Sequence, residues 1–555
     1  MFSDHDNMGW LEKGFRLIRV LVASLVLLGA AQMGAAQGLE AAPVAALPAP
    51  RLVFNTQEMQ LARAAASDPG LADFYGANGL KPIFLGSEGA GRRAALIDAV
   101  GQAASHGLPP SRYRQGELRR LNAAQPASVE GELQFARIFA RWSHDVTGGI
   151  LDPRKVEQGI KREVMRPATG DLLRIFAQTA DPAGMLAQMP PQNQPYVALR
   201  KALAGRASLV APADAPQVPA GSWREGVSDP AIAALRVRLA SIGFAAAPAG
   251  SPLTFDAPLT AAVAQFQQAV GLPSDGVAGP RTVARLNRGT DAETDAILVA
   301  LERMRWMYGQ DLNARHVWVN LPEFTARIFE GGRQIFETRV VIGKANQEFE
   351  TPEFSETMKY IVVNPRWNVP RSITVKEYLP RLQANRNAAR HLDVVDGNGN
   401  VIPRDRIDFS RYSAANFPFR MRQKPSDDNA LGVVKFMFPN PWNIYLHDTP
   451  TKHLFQQSQR AYSHGCIRIG KPLDLAYELL SQQSEAPQAL FGKALESGRE
   501  TYLNLRPAVP VHLVYFTAFP DQDGRIRRYA DIYGRDALVL AALRKAGLES
   551  RAADE

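Results

Sequence analysis

The chain has 555 residues, long enough for several domains with separate cores, and its mix of 46% hydrophobic and 21% charged residues is that of a folded globular protein. A formal net charge of +9 suits an anionic polymer or a membrane face, but no basic cluster interleaved with aromatics supports nucleic acid as the partner. A single cysteine, Cys466, excludes a disulfide framework.

Lys13, Arg16 and Arg19 precede the apolar run Val20 to Ala31, and small residues continue through Ala36. This is the layout of a secretory signal over residues 1–36. The apolar run is shorter than the ~20 residues a spanning helix needs, so export with cleavage is expected, and retention on the inner membrane is the alternative. An Ala/Pro linker covers 37–54. From 55 to 207 the apolar spacing is helical, as at Leu96, Ile97, Val100 and Ala104 or at Phe135, Ile138, Phe139 and Trp142, and such stripes are expected to be core. His106 and His144 have no partner spacing and read as structural.

A second linker, 208–225, carries Pro212, Pro216 and Pro219. Residues 226–290 then read as three short helices, with Leu235, Leu239 and Ile242 on one face and Leu259, Val263, Phe266 and Val270 on the next. The order Phe255-Asp256, Phe266-Gln267, Asp275-Gly276 and Gly279-Pro280-Arg281-Thr282 resembles the type-1 peptidoglycan-binding domain. Either glycan binding or packing against neighbours is compatible with it.

From about 295 to 536 the pattern changes to strands between Gly/Pro turns. His316 to Leu321, Thr325 to Glu330, Gln334 to Gly343 and Lys359 to Asn364 alternate or run β-branched, with a hairpin at Glu330-Gly-Gly-Arg333. A β-sandwich or open barrel is expected. Strands stop after Pro370 and resume near Val433. The polar, basic stretch 371–428 is too long for an ordinary loop and reads as a lid or capping insertion. A helix is expected over Leu473 to Leu480 and a strand over Val509 to Phe519, and 537–555 reads as a short helix and tail.

The chemistry gathers between Tyr445 and Arg468. Cys466 follows His464 by two residues and His447 by 19. A thiol works as a nucleophile through its thiolate and needs a base beside it. His447, at the end of an apolar strand-like run, suits that role, and His464 is the alternative base. Gly465, lacking a Cβ, lets backbone N–H groups crowd one point, so the N–H groups of Gly465 and Cys466 are the expected oxyanion donors. A metal site of His447, His453 and His464 is the competing reading, but no acidic spacing supports it, and no cofactor is called for. Thr449-Pro450 reads as an N-cap with proline in a first helical turn.

His447 followed by Ser463-His464-Gly465-Cys466-Ile467-Arg468 resembles the YkuD-type L,D-transpeptidases. Glu302-Arg303-Met304-Arg305-Trp306, Val317 to Pro322 and Val363 to Pro370 resemble the large, YcbB-like branch of these murein enzymes. The resemblance implies a multidomain α+β protein: a helical scaffold, a small peptidoglycan-binding-like domain and a mainly-β catalytic domain with a capping insertion. It implies periplasmic 3→3 cross-linking of peptidoglycan stem peptides through a Cys466 thioester on a tetrapeptide donor, with loss of D-alanine, and sensitivity to carbapenems. Other cell-wall synthesis enzymes are further partners it suggests. In the family a backbone carbonyl beside the histidine orients it, here that of Asp448, whose carboxylate is an alternative. Ser463, His464, Arg468, Tyr445 and Trp367 are candidates for binding substrate or fixing the loop. Water or a lipoprotein lysine as acceptor would make the chain a carboxypeptidase or an anchoring enzyme, and a non-catalytic wall-binding scaffold is the reading from another class. Papain-like and NlpC-like peptidases place cysteine before histidine, the reverse of the order here.

Overall fold

The structure, a computed structural model, describes residues 53–548 apart from 125–127, 208–210, 212–214 and 288–291. The expected leader, nearly all of the first linker and the last seven residues of the tail lie outside the described residues. Among the described residues no helix is long and apolar enough to cross a membrane.

The helical region is built on Val129–Gly148, capped by the Ser128 hydroxyl, which accepts from Gly131 N. Phe135, Ile138, Phe139 and Trp142 recur at helical spacing and are all buried with Leu96, Ile97 and Val100 in one core. Ala104 is exposed, contrary to its place in the expected stripe. The helix Ala90–Gly101 stops short of it, and a 3-10 turn over Ala103–His106 sends Ala103 inward instead. His106 is buried against the Tyr196 hydroxyl at 3.0 Å, and His144 is exposed beside Asp145.

The small domain has helices Ala231–Ala240, Ala257–Ala269 and Pro280–Asn287 around Leu235, Leu239, Leu259, Val263 and Phe266. Its motif residues are engaged with one another. The Gln267 amide donates to Asp275, to the Val277 carbonyl and to Thr282, and it accepts from Gly276 N.

The strand-rich region contains β1 (His316–Asn320), β2 (Thr325–Glu330), β3 (Arg333–Gly343), β4 (Phe354–Val363), β5 (Trp367–Asn368), β6 (Leu392–Val395), β7 (Arg420–Gln423), β8 (Val434–Met437), β9 (Leu446–His447), β10 (Ala461–Ser463), β11 (Ile467–Ile469), β12 (Thr501–Val514), β13 (Ala518–Pro520) and β14 (Ile526–Arg528). Nine of them form one sheet in the order β10-β3-β11-β9-β8-β4-β12-β1-β2, and β2 also pairs with β3. The expected sandwich or open barrel is therefore corrected to a ring of strands that closes on itself. Closure depends on the length of β3: its first part pairs with β2, and Val340 and Val341 near its end pair with β11. Val319, Ile328, Ile342, Ile361, Phe436, Leu446, Ile467 and Leu513 fill the interior, and the helices Pro472–Leu480 and Pro487–Glu496 add Leu475, Leu479 and Phe491.

Two strand expectations are corrected. β12 begins at Thr501, well before Val509, because Pro507 and Pro510 hide it in the sequence; the register shifts between Asn504 and Val509, and the ladder continues beyond. The insertion is not strand-free: its β6 and β7 join β5, just before it, in a separate three-stranded sheet. Val394, Ile407, Phe409, Phe417 and Met421 give the insertion its own core. Its strands are four residues each, and β7 carries Arg420 and Arg422, so alternation is hard to read from sequence.

The helix Ala292–Arg305 joins the two large regions. Ile297, Leu301 and Met304 pack with Tyr196, Leu199 and Leu203 of the helix Gln194–Ala207 and with Trp318, Val514 and Phe516 beside the barrel. Glu302 is fully buried, accepts from Arg305 at 2.7 Å and from Leu151 N at 2.9 Å, and so ties that helix to the loop after Val129–Gly148. Gly149, at φ +82°, lies so close that a Cβ would come within 2.5 Å of a Glu302 oxygen.

Candidate functional site

β9 and β11 run parallel, with Ile467 opposite Leu446 and Arg468 opposite His447. Leu446, Ile467 and Ile469 point into the barrel core. Successive side chains of a strand alternate faces, so Tyr445, His447, Cys466 and Arg468 all look the other way, into one cleft of about 1120 Å³. Its walls come from the loop between β3 and β4, the insertion, the segment before β9 and residues of the helical region near Gly159.

His447 is buried, and its Nδ1 lies 2.5 Å from the Asp448 carbonyl oxygen. A carbonyl only accepts, so Nδ1 carries the proton and Nε2 is bare. Burial, with the positive Arg468 and Lys435 nearby and the Asp448 carbonyl opposing, pushes this imidazole down to about 3. Lys435 is its cross-strand partner on β8. The Asp448 carboxylate is used elsewhere: it accepts from Thr449 N at 2.6 Å, from Val433 N at 3.0 Å and from Lys452. Orientation of the ring thus falls to the carbonyl, not the carboxylate. Gly432, at φ +58°, is required there, since a Cβ would meet that carboxylate at 2.2 Å. Thr449 caps no helix: its hydroxyl pairs with Thr451, and a 3-10 turn starts only at Lys452.

The Cys466 thiol is half-buried and donates toward the Asn443 carbonyl at 3.6 Å. Burial pushes it up to about 11, while the hydroxyl and N–H of Tyr445 and the charge of Arg468 pull the other way. Near neutral pH the thiol and the imidazole of this cleft are thus both uncharged. The Ser463 hydroxyl donates to the Cys466 carbonyl at 2.5 Å and accepts from Gly465 N at 3.1 Å. This corrects the expected oxyanion donors. The Gly465 N–H is already engaged with Ser463, which leaves the Cys466 N–H as the turn's available donor. Gly465 itself sits at φ +107°, where a side chain is strained.

His464 turns from the thiol to the insertion, its Nε2 2.6 Å from Glu377 and its ring edge-on to Phe349. That engagement disfavours it as the base. Arg468 donates to Thr451 at 3.0 Å, and its Nε is buried without a hydrogen-bond partner on the cleft wall. Trp367, on β5 at the entry to the insertion, lines the cleft and packs edge-on to Tyr378. Among the described residues no group of three His, Cys, Asp or Glu side chains could hold a metal ion. Sequence reasoning missed Lys435, Glu377 and Asn443. Only Lys435 had a signal, its place in the alternating run before Pro439.

A thiol, a bare imidazole nitrogen and an available backbone N–H on one face meet the needs of acyl transfer. Three family models match the chain: the L,D-transpeptidase catalytic domain YkuD over residues 314–491, a scaffold domain over 69–203 and a "Putative peptidoglycan binding domain" over 228–286. A curated Haemophilus influenzae protein named "Putative L,D-transpeptidase" is 34% identical over 225 residues, covering 40% of this chain and 45% of that protein. The match therefore spans just under half the length of that relative. Among solved structures, an L,D-transpeptidase from Xylanimonas cellulosilytica gives a TM-score of 0.13 at 16% identity over 55% of this chain and 100% of that one. One from Stackebrandtia nassauensis gives 0.16 at 16% identity over 53% and 96%. The likeness to L,D-transpeptidases rests on the sequence matches.

Proposed function

Starting from a chain whose residues 314–491 are a YkuD-type L,D-transpeptidase catalytic domain joined to scaffold and peptidoglycan-binding domains, we propose that the protein is a murein L,D-transpeptidase forming 3→3 cross-links. The observation that carries this reading is the parallel register of β9 and β11, which sets Tyr445, His447, Cys466 and Arg468 on one cleft face with His447 Nε2 bare.

In this mechanism the Cys466 sulfur attacks the carbonyl of the third stem residue, a diaminopimelate L-centre, as its proton passes to His447 Nε2. Concerted transfer suits a thiol held near 11, since little free thiolate exists beforehand. The oxyanion takes the Cys466 N–H, and the Tyr445 hydroxyl by the sulfur is the next donor in reach. One such donor is worth about 3 kcal/mol of transition-state stabilisation. The C–N bond breaks, His447 returns the proton to the departing D-alanine amine, and a thioester remains. The side-chain amine of a second stem then attacks the thioester and gives its proton to His447, and the thiol is restored as the new amide forms.

Lys435 and Arg468 supply positive charge beside His447 for an anionic stem. The insertion, tied to the nucleophile loop by Glu377 and His464, acts as the cap of the cleft. Work on peptidoglycan puts the enzyme outside the cytoplasm.

The test is product analysis with disaccharide-tetrapeptide, wild type beside Cys466→Ala. A 3→3 dimer with released D-alanine, absent from the variant, supports the proposal. Tripeptide and D-alanine alone would make it an L,D-carboxypeptidase, and no turnover in a folded protein that still binds sacculi would leave a wall-binding scaffold.

A further inference from the structure

Against the nucleophile turn lies Thr351, fully buried in the loop between β3 and β4. Its hydroxyl has both roles assigned by its partners. It donates to the Gly465 carbonyl at 2.8 Å, which can only accept, and accepts from Gly343 N at 2.9 Å, which can only donate. Thr351 is itself held in place: its N–H donates to the Tyr533 hydroxyl at 3.3 Å, and that hydroxyl donates to the Gly343 carbonyl at 2.7 Å. Gly343 leaves no room for slack, because a Cβ there would fall 1.9 Å from the Phe349 carbonyl oxygen.

The Gly465 carbonyl and the Cys466 N–H belong to one peptide unit. In a trans peptide the C=O and N–H point in opposite directions and the plane turns as a rigid body. Whatever grips the carbonyl therefore aims the N–H. The turn's other fastening, Ser463, grips different groups, the Gly465 N–H and the Cys466 carbonyl, on the two flanking planes. Glycine at φ +107° is the residue about which the plane would swing if the carbonyl were released.

We infer that Thr351 is a positioning residue for the oxyanion turn: by holding the Gly465 carbonyl it directs the Cys466 N–H into the cleft. This rests on the transpeptidase reading above, since it matters only if Cys466 builds a tetrahedral intermediate. The loop is fixed by ion pairs as well. Glu350 and Glu353, flanking Thr351, are both paired with the buried Arg535.

The experiment compares two rates on full-length protein: acylation of Cys466 by disaccharide-tetrapeptide, and alkylation of Cys466 by iodoacetamide, which forms no oxyanion. Thr351→Val keeps the shape and removes the hydroxyl; Thr351→Ser keeps the hydroxyl. Removing an oxyanion donor outright costs about 10²–10³ in rate, and releasing one to swing is expected to cost on the order of tenfold or more. The expected result is that Val loses this much in acylation with KM little changed, keeps the wild-type alkylation rate, and is rescued by Ser. Acylation by Val at the wild-type rate would overturn the inference. So would a parallel fall in both reactions, the mark of a merely structural role. Failure of the underlying reading shows separately, as a wild type that alkylates but takes no acyl group from the tetrapeptide, and it would overturn the inference too.

Discussion

Two long and two short strands of the barrel differ in what they carry. β4 and β12, of 10 and 14 residues, share the most extensive ladder in the ring and carry core side chains such as Ile361, Val511 and Leu513. β9 and β11, of 2 and 3 residues, carry His447 and lead out of Cys466. So short a ladder cannot by itself hold a catalytic geometry. Individual hydrogen bonds beyond the ladder itself hold the residues around these short strands: the Asp448 carbonyl on the imidazole, and Ser463 and Thr351 on the turn before β11. On the proposed mechanism, stability and chemistry are carried by different parts of one ring, and substitutions should separate them.

The largest separation is expected at His447. His447→Ala removes the proposed general base and should slow acylation of Cys466 by about 10²–10⁴ in a protein that still unfolds cooperatively; stopped-flow acylation beside thermal unfolding reads both. Leu513→Ala tests the opposite arm. It opens a cavity in the long ladder, where the side chain is fully buried, and should cost about 2–5 kcal/mol in denaturant unfolding, with the acylation rate per folded molecule unchanged. Loss of stability without loss of rate in the first case, or of rate in the second, would break the division.

A finer test uses pH. His447 is held down to about 3 against an ordinary 6.5. Between those values the unfolded chain takes up a proton that the folded chain refuses. The site's contribution to stability is therefore complete above about pH 6.5 and is lost as pH falls toward 3. Denaturant unfolding from pH 8 to 4 should decline less steeply in His447→Ala than in wild type. Cys466, raised to about 11, should alkylate with a midpoint well above the ordinary thiol value of 9; a midpoint near neutrality would mean a preformed ion pair instead.

Much of this site was legible in the sequence because it is written in local order. Ser463 to Arg468 is contiguous, and the apolar run before His447 leads into the short β9 that His447 ends. Phe135, Ile138, Phe139 and Trp142 show helical periodicity and are core for that reason. What could not be read depends on contacts between distant residues or on groups common to every residue. Gly465 was the natural choice of oxyanion donor, yet its N–H is captured two residues back by Ser463. Thr351 gives no signal, because its role depends on a loop meeting a turn more than a hundred residues on. Closure of the ring was hidden because β3 looks like one strand of a hairpin, and nothing in its sequence says that its last residues pair with a second strand. The block Glu302 to Trp306 was visible as a motif but not as the buried join between helical region and barrel.

The most direct measurement is intact-mass spectrometry of wild-type protein mixed with disaccharide-tetrapeptide and quenched in acid, followed by peptide mapping. The account predicts an adduct of the substrate's mass less D-alanine, held as a thioester on the peptide containing Cys466. A folded protein whose Cys466 alkylates with iodoacetamide yet acquires no such adduct would contradict it.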